Sequence, residues 1–153
     1  FGLSAMAQGE RLKAHRQGPG KHPEAMADNP NPTTRAPLYK DKFVEIYSDH
    51  LCIKSYYFPL GREKRVDIPS DNGGVSFATD KDLELTWLDW KGWGMAPNNV
   101  WWASDSQRRN VGGRRNLGIV ITVGNERVRK GFSVENDKAA LKVLEMLLPR
   151  SPY

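Results

Sequence analysis

Leu117-Gly118-Ile119-Val120-Ile121-Thr122-Val123, then Gly124-Asn125, then Glu126-Arg127-Val128-Arg129-Lys130-Gly131-Phe132, is the stretch that decides the fold class. Its first part is a strongly apolar run of strand length, rich in β-branched residues, which reads as a strand. Gly124-Asn125 tolerates the backbone of a tight hairpin turn. The second part returns with Val128 between Arg127 and Arg129, the alternation of a half-exposed strand. The period then changes. Asn136 stands at an N-cap position, Asp137 suits the positive end of a helix dipole, and Ala140, Leu141, Val143, Leu144, Leu147 and Leu148 recur with helical spacing until Pro149 stops them. Strand, strand and amphipathic helix therefore close the chain, with Leu141, Leu144 and Leu148 expected against a sheet.

Upstream, the same period-of-two signals recur. Phe43–Tyr47 and Leu51–Phe58 flank the turn Ser48-Asp49-His50, and Pro59-Leu60-Gly61-Arg62 turns the chain into a third strand over Glu63–Pro69, with Val66 and Ile68 on one face. Val75 and Phe77 form a weak apolar patch. Leu83-Glu84-Leu85-Thr86-Trp87 alternates and predicts a fourth strand; Asn99–Ala103 predicts a fifth, Leu117–Val123 a sixth and Glu126–Phe132 a seventh. Residues 1–37 differ in kind. Gly18-Pro19-Gly20 and Asn29-Pro30-Asn31-Pro32 punctuate a stretch almost without large apolar residues, so it reads as a disordered tail that contributes little to stability. Met26 reads as an alternative start within it. Residues 38–150 read as one domain, large enough to bury a core unaided.

This order of about seven strands and one C-terminal amphipathic helix resembles the pleckstrin-homology (PH) superfold. The wording of two stretches is similar to small, uncharacterised bacterial PH-like proteins: Tyr56-Tyr57-Phe58-Pro59-Leu60-Gly61 before a strand ending Asp67-Ile68-Pro69, and Leu117–Val123 with Lys130-Gly131-Phe132-Ser133-Val134-Glu135-Asn136 leading into the helix. The resemblance implies a mainly β, α+β domain: a barrel of two near-orthogonal antiparallel sheets closed by the helix. It implies no activity. Phosphoinositide-binding members carry Lys and Arg around the first hairpin, whereas this one is Ser48-Asp49-His50, with Lys54 the only basic residue nearby on the second strand.

Composition narrows the function classes. The formal charge is +5 on 153 residues, which permits an anionic partner without requiring one. One cysteine, Cys52, excludes a disulfide framework within the chain and a Cys-rich zinc site, and points to a reducing, cytoplasmic setting. No apolar run has the length of a membrane span. The sequence holds no G-x-S-x-G, P-loop, H-E-x-x-H or G-x-G-x-x-G motif. His50 reads as a capping or exposed residue at a turn tip and Cys52 as a buried structural thiol. Asp80, Asp82 and Glu84 read as a solvated strand edge. The chain is expected to be no enzyme and to use no cofactor or metal.

Two clusters remain. Trp87, Trp90, Trp93, Trp101 and Trp102 crowd a short region. Neighbours in a strand face opposite ways, so one of Trp101 and Trp102 is expected near the surface. Trp93, between Gly92 and Gly94, is the best placed for an exposed binding role. Arg108, Arg109, Arg114 and Arg115 surround Gly112-Gly113, and arginines on such a loop suit phosphate or carboxylate. The expected function is a non-enzymatic interaction module for a protein or peptide. The second reading is a peripheral membrane or anionic-headgroup binder that uses Trp93 and the loop from Arg108 to Arg115. Nucleic acid is disfavoured, because no recognition motif accompanies the charge.

Overall fold

A computed structural model describes residues 35–86, 89–108 and 115–152. The described chain is mainly β, with two sheets and one C-terminal helix. β1 (Tyr39–Lys40), β2 (Val44–Ile46), β3 (His50–Tyr57) and β4 (Arg62–Asp67) form an antiparallel sheet in chain order. β5 (Val75–Thr79), β6 (Gly94–Met95), β7 (Val100–Trp102), β8 (Leu117–Val123) and β9 (Arg129–Val134) form a second sheet in the order β5-β8-β9-β7-β6. α1 (Asp137–Leu147) follows. The two sheets are not closed into a barrel among the described residues.

Four expectations are corrected. β7 runs parallel to β9, Val100 opposite Arg129, so the second sheet is mixed rather than antiparallel. The weak patch at Val75 and Phe77 is a full edge strand paired with β8 over its whole length. The alternating segment from Leu83 is not a strand over residues 83–86; Trp87 lies outside the described residues. The cause is local. Thr79 N–H donates to Asp82 Oδ2 at 2.9 Å while Asp82 N–H donates to Thr79 Oγ1 at 3.1 Å, and this reciprocal pair turns the chain immediately after β5. Leu83 and Leu85 are still partly buried, so the alternation reported burial correctly and geometry wrongly. The expected Gly124-Asn125 hairpin is also longer than two residues, because the last β8–β9 pair is Ile121 with Lys130.

The second sheet is covered on both faces, which is why β8 carries apolar residues on both faces from Leu117 to Ile121. One face, with Ile119, Ile121, Phe132 and Val134, meets Val44, Ile46, Leu51 and Ile53 of the first sheet and Ala140, Leu144 and Leu148 of the helix region. The other, with Val120 and Trp102, meets Ala96, Val100, Leu83, Leu85 and Trp90. Trp102 lies flat over Gly131: a Cβ there would stand 2.5 Å from Trp102 Cε3. The position therefore has room only for glycine.

Asn136 caps α1 as expected, its side chain accepting from Ala139 N–H at 3.1 Å. Leu144 and Leu148 are buried and Leu141 is half-buried. Leu144→Ala is expected to cost about 2–5 kcal/mol, measured by denaturant unfolding. An unchanged midpoint would remove the helix from the core. Asp41 ties the helix start to the first sheet. Its Oδ1 accepts from the N–H groups of Phe43 and Val44, and its Oδ2 accepts from Glu135 N–H and Tyr39 Oη.

The first sheet also carries an acid-sensitive cluster. Glu45 Oε1 lies 2.9 Å from both Lys54 Nζ and Lys40 Nζ, and Tyr47 Oη donates to Oε2 at 2.8 Å. Hydrogen bonds from Lys54, then Lys40 and Tyr47, lower the Glu45 carboxyl from an ordinary 4.5 to about 2. A carboxyl lowered in the folded state stabilises fully above its unfolded value and loses that contribution as pH falls. The Glu45 contribution is thus expected to be complete above pH 4.5 and to vanish toward pH 2. Glu45→Gln should therefore lower the unfolding midpoint at neutral pH and leave it nearly unchanged at the acid end. Equal losses at both ends would refute the assignment.

Candidate functional site

β3 does not run straight. Ser55 has φ 50°, and the pairing with β4 breaks between Ile53 and Tyr57. This irregularity turns Tyr56 inward and leaves Tyr57 facing out beside Arg62. The carbonyls it redirects meet the second sheet: Trp101 Nε1–H donates to Tyr56 O at 2.9 Å, and Ser104 N–H donates to Ser55 O at 3.0 Å. The β3–β4 turn is thereby fastened beside β6 and β7. Gly61, with φ 64°, completes that turn, leaving Phe58 and Leu60 at its tip.

Trp93 comes from the facing loop. Asp105 N–H donates to Gly92 O at 2.8 Å on one side of it, and Gly94 and Met95 pair with Trp102 and Trp101 on the other. The Trp93 and Phe58 rings meet with centroids 5.0 Å apart. Trp93 is 52% exposed, as expected from the sequence. It is not isolated: of the seven exposed large hydrophobic residues among the described ones, Tyr57, Phe58, Leu60, Trp93 and Met95 belong to these two adjoining hairpins. Exposed large apolar side chains carried by adjoining hairpins mark an interaction surface more often than scattered single residues do. The sequence reading found Trp93 and missed the other four. The signal available was Tyr57-Phe58-Pro59-Leu60, where an aromatic and a leucine flank a turn proline and cannot both be covered by two short strands.

Of the four arginines expected at one binding loop, Arg108 and Arg115 are among the described residues. Arg108 is only 3% exposed, and it belongs to the interior. Its guanidinium stacks over Trp102 at 4.5 Å. Nη1 donates to Lys91 O at 2.7 Å and Ala103 O at 2.9 Å; Nε and Nη2 donate to Ser133 Oγ at 3.3 and 3.0 Å. Ser133 Oγ in turn donates to Asp105 Oδ2 at 2.6 Å. Burial pushes the Arg108 guanidinium down to about 10, against the pull of Asp105 and Asp80, so it stays charged at neutral pH. It is a bracket joining three segments, with no free face for an anion. Arg109 and Arg114 lie outside the described residues. Arg115 covers the Trp90 ring and lies 3.9 Å from Asp80 Oδ2. Burial raises the Asp80 carboxyl, and Asp82 pairs with Arg150, so the acidic run is no solvated strand edge.

Residues weighed for catalysis are also placed. His50 is buried in β3 rather than exposed at a turn tip; its ring stacks on Tyr47 at 4.4 Å and Nδ1 lies 2.7 Å from Asp49 Oδ1. Cys52 is partly buried, and burial raises its thiol, the opposite of what an activated nucleophile needs. Among the described residues no three His, Cys, Asp or Glu side chains cluster as metal ligands would. No helix of the described residues is long and apolar enough to cross a membrane. No protein-family model, curated protein or solved structure matches the chain.

Proposed function

We propose that the domain is a PH-like, non-enzymatic interaction module that binds a protein or peptide through the surface formed by Tyr57, Phe58, Leu60, Trp93 and Met95. The observation that carries this reading is the meeting of two fastened hairpins that leave five large apolar side chains between 39 and 72% exposed. Aromatic residues and Met are the types enriched in interface cores, and exposed Trp and Tyr are the commonest energetic anchors. The order of strands before a single closing helix supports the PH-like reading; the parallel β7–β9 pair is a departure from it. The second reading, an anionic-headgroup binder using Trp93 and the arginine loop, loses Arg108, which is committed internally.

A displayed random-peptide library panned on the protein tests this. Selected peptides are expected to bind the Phe58→Ala/Trp93→Ala double variant at least about thirtyfold more weakly, the effect of removing anchor residues. The thermal midpoint should barely move, because both side chains are substantially exposed. Equal binding by wild type and variant would place the site elsewhere.

A further inference from the structure

The charged side chains within residues 50–62 and 90–104, the segments that build this apolar surface, are Lys54, Arg62 and Lys91. Four carboxylates border these segments: Asp49 is paired with His50, Asp89 accepts from Thr86, Asp105 is buried, and Glu63, the strand neighbour of Arg62, faces the other side of the sheet. Lys54 is taken up by Glu45. Arg62 and Lys91 are exposed and have no carboxylate partner among the described residues. Arg62 stands opposite Tyr57 across the β3–β4 pair, and Lys91 lies two residues before Trp93. Trp93 Nε1–H and Tyr57 Oη also make no hydrogen bond among the described residues. Indole, guanidinium and ammonium are donors only. The surface therefore offers apolar area edged by positive charge and N–H donors.

We infer, resting on the interaction reading above, that the partner is a peptide segment in which two or more large apolar side chains are accompanied by carboxylates. The apolar side chains would cover Phe58, Leu60, Trp93 and Met95. The carboxylates would meet Arg62 and Lys91 at the rim. Arg62 gives a planar, bidentate fork for a carboxylate, and Lys91 a point charge. Rim charges of this kind select partners and speed encounter more than they add affinity. A basic peptide of equal apolarity would place like charges together at the rim.

Library selection on the wild-type protein supplies the test, with phosphatidylcholine vesicles, with and without phosphatidylserine, as a parallel probe. Enrichment of Asp and Glu beside aromatic or aliphatic residues supports the inference. So does an affinity that falls about tenfold both in an Arg62→Glu/Lys91→Glu variant and in high salt, where exposed charges are screened. An Arg62→Gln/Lys91→Gln variant should lie between that variant and wild type, and unchanged thermal midpoints show that all are folded. Peptides that need Phe58 and Trp93 but show no carboxylate preference and no response to either variant overturn the inference and leave the interaction reading standing. Sedimentation with phosphatidylserine vesicles in place of peptide binding overturns both, as does binding to neither probe.

Discussion

Arg108→Ala is expected to destabilise the domain by about 3–5 kcal/mol, the loss that follows when one partner of a buried charged network is removed. Its guanidinium satisfies Lys91 O, Ala103 O and Ser133 Oγ, and Ser133 Oγ links it to the buried Asp105, whose charge favours it. Truncation leaves two carbonyls without their donor, removes a cation that attracts Asp105, and uncovers one face of Trp102. Arg108→Met separates these effects. It keeps much of the stem's packing and omits the charge, so it should recover a small part of the loss. Denaturant unfolding of both variants measures this. A midpoint like wild type for Arg108→Ala would show that the side chain is free in solution, returning it to the pool of anion-binding candidates.

Trp102→Ala is expected to cost a similar amount, about 3–5 kcal/mol, through the cavity it leaves. Trp102 is the largest fully buried side chain among the described residues. It fills the space above Gly131, carries Arg108 on its face and donates Nε1–H to Asp89 O at 2.8 Å. Trp102→Phe keeps part of the packing and loses the donor, so its cost should be intermediate. Because Trp102 and Arg108 are in contact, the double variant should lose less than the sum of the two single losses. Additive losses would mean that the stacked geometry contributes nothing. Trp101, its neighbour, is partly exposed on the opposite face, and its truncation should loosen the fastening of the β3–β4 turn instead.

Much of this architecture was legible because burial leaves a period in the sequence. The β8 run, the capped amphipathic helix and the strands on either side of Pro59 all read correctly, and the opposite facing of Trp101 and Trp102 followed from strand geometry alone. What failed shares a cause. Alternation reports which residues are covered and does not say whether the chain is extended. Leu83 and Leu85 are partly buried from a turn, which the Thr79–Asp82 pair closes. The parallel placement of β7 on β9 is a long-range choice with no local signature. His50 and Arg108 read as exposed in the sequence because polar residues usually are. Each is buried with specific partners, Asp49 and Tyr47 for one, Ser133 and two carbonyls for the other, and only tertiary contacts reveal those.

The candidate surface was half legible for the same reason. Trp93 between two glycines reads as exposed from the sequence. Its contact with Phe58 joins residues far apart in the chain, and it depends on the irregularity at Ser55 that presents the β3–β4 turn to β7. Charge density marks the loop from Arg108 to Arg115 in the sequence, but density does not report burial, and Arg108 is buried.

The most direct test is a map of backbone amide shifts as a library-selected peptide is titrated onto the isotopically labelled protein. The expected result is a set of perturbed amides confined to the β3–β4 turn around Phe58 and Leu60 and to the loop from Lys91 to Met95, with Ser133 and the β8 amides unmoved. Perturbations centred on residues 108–115 instead, with Phe58 and Trp93 silent, would contradict it.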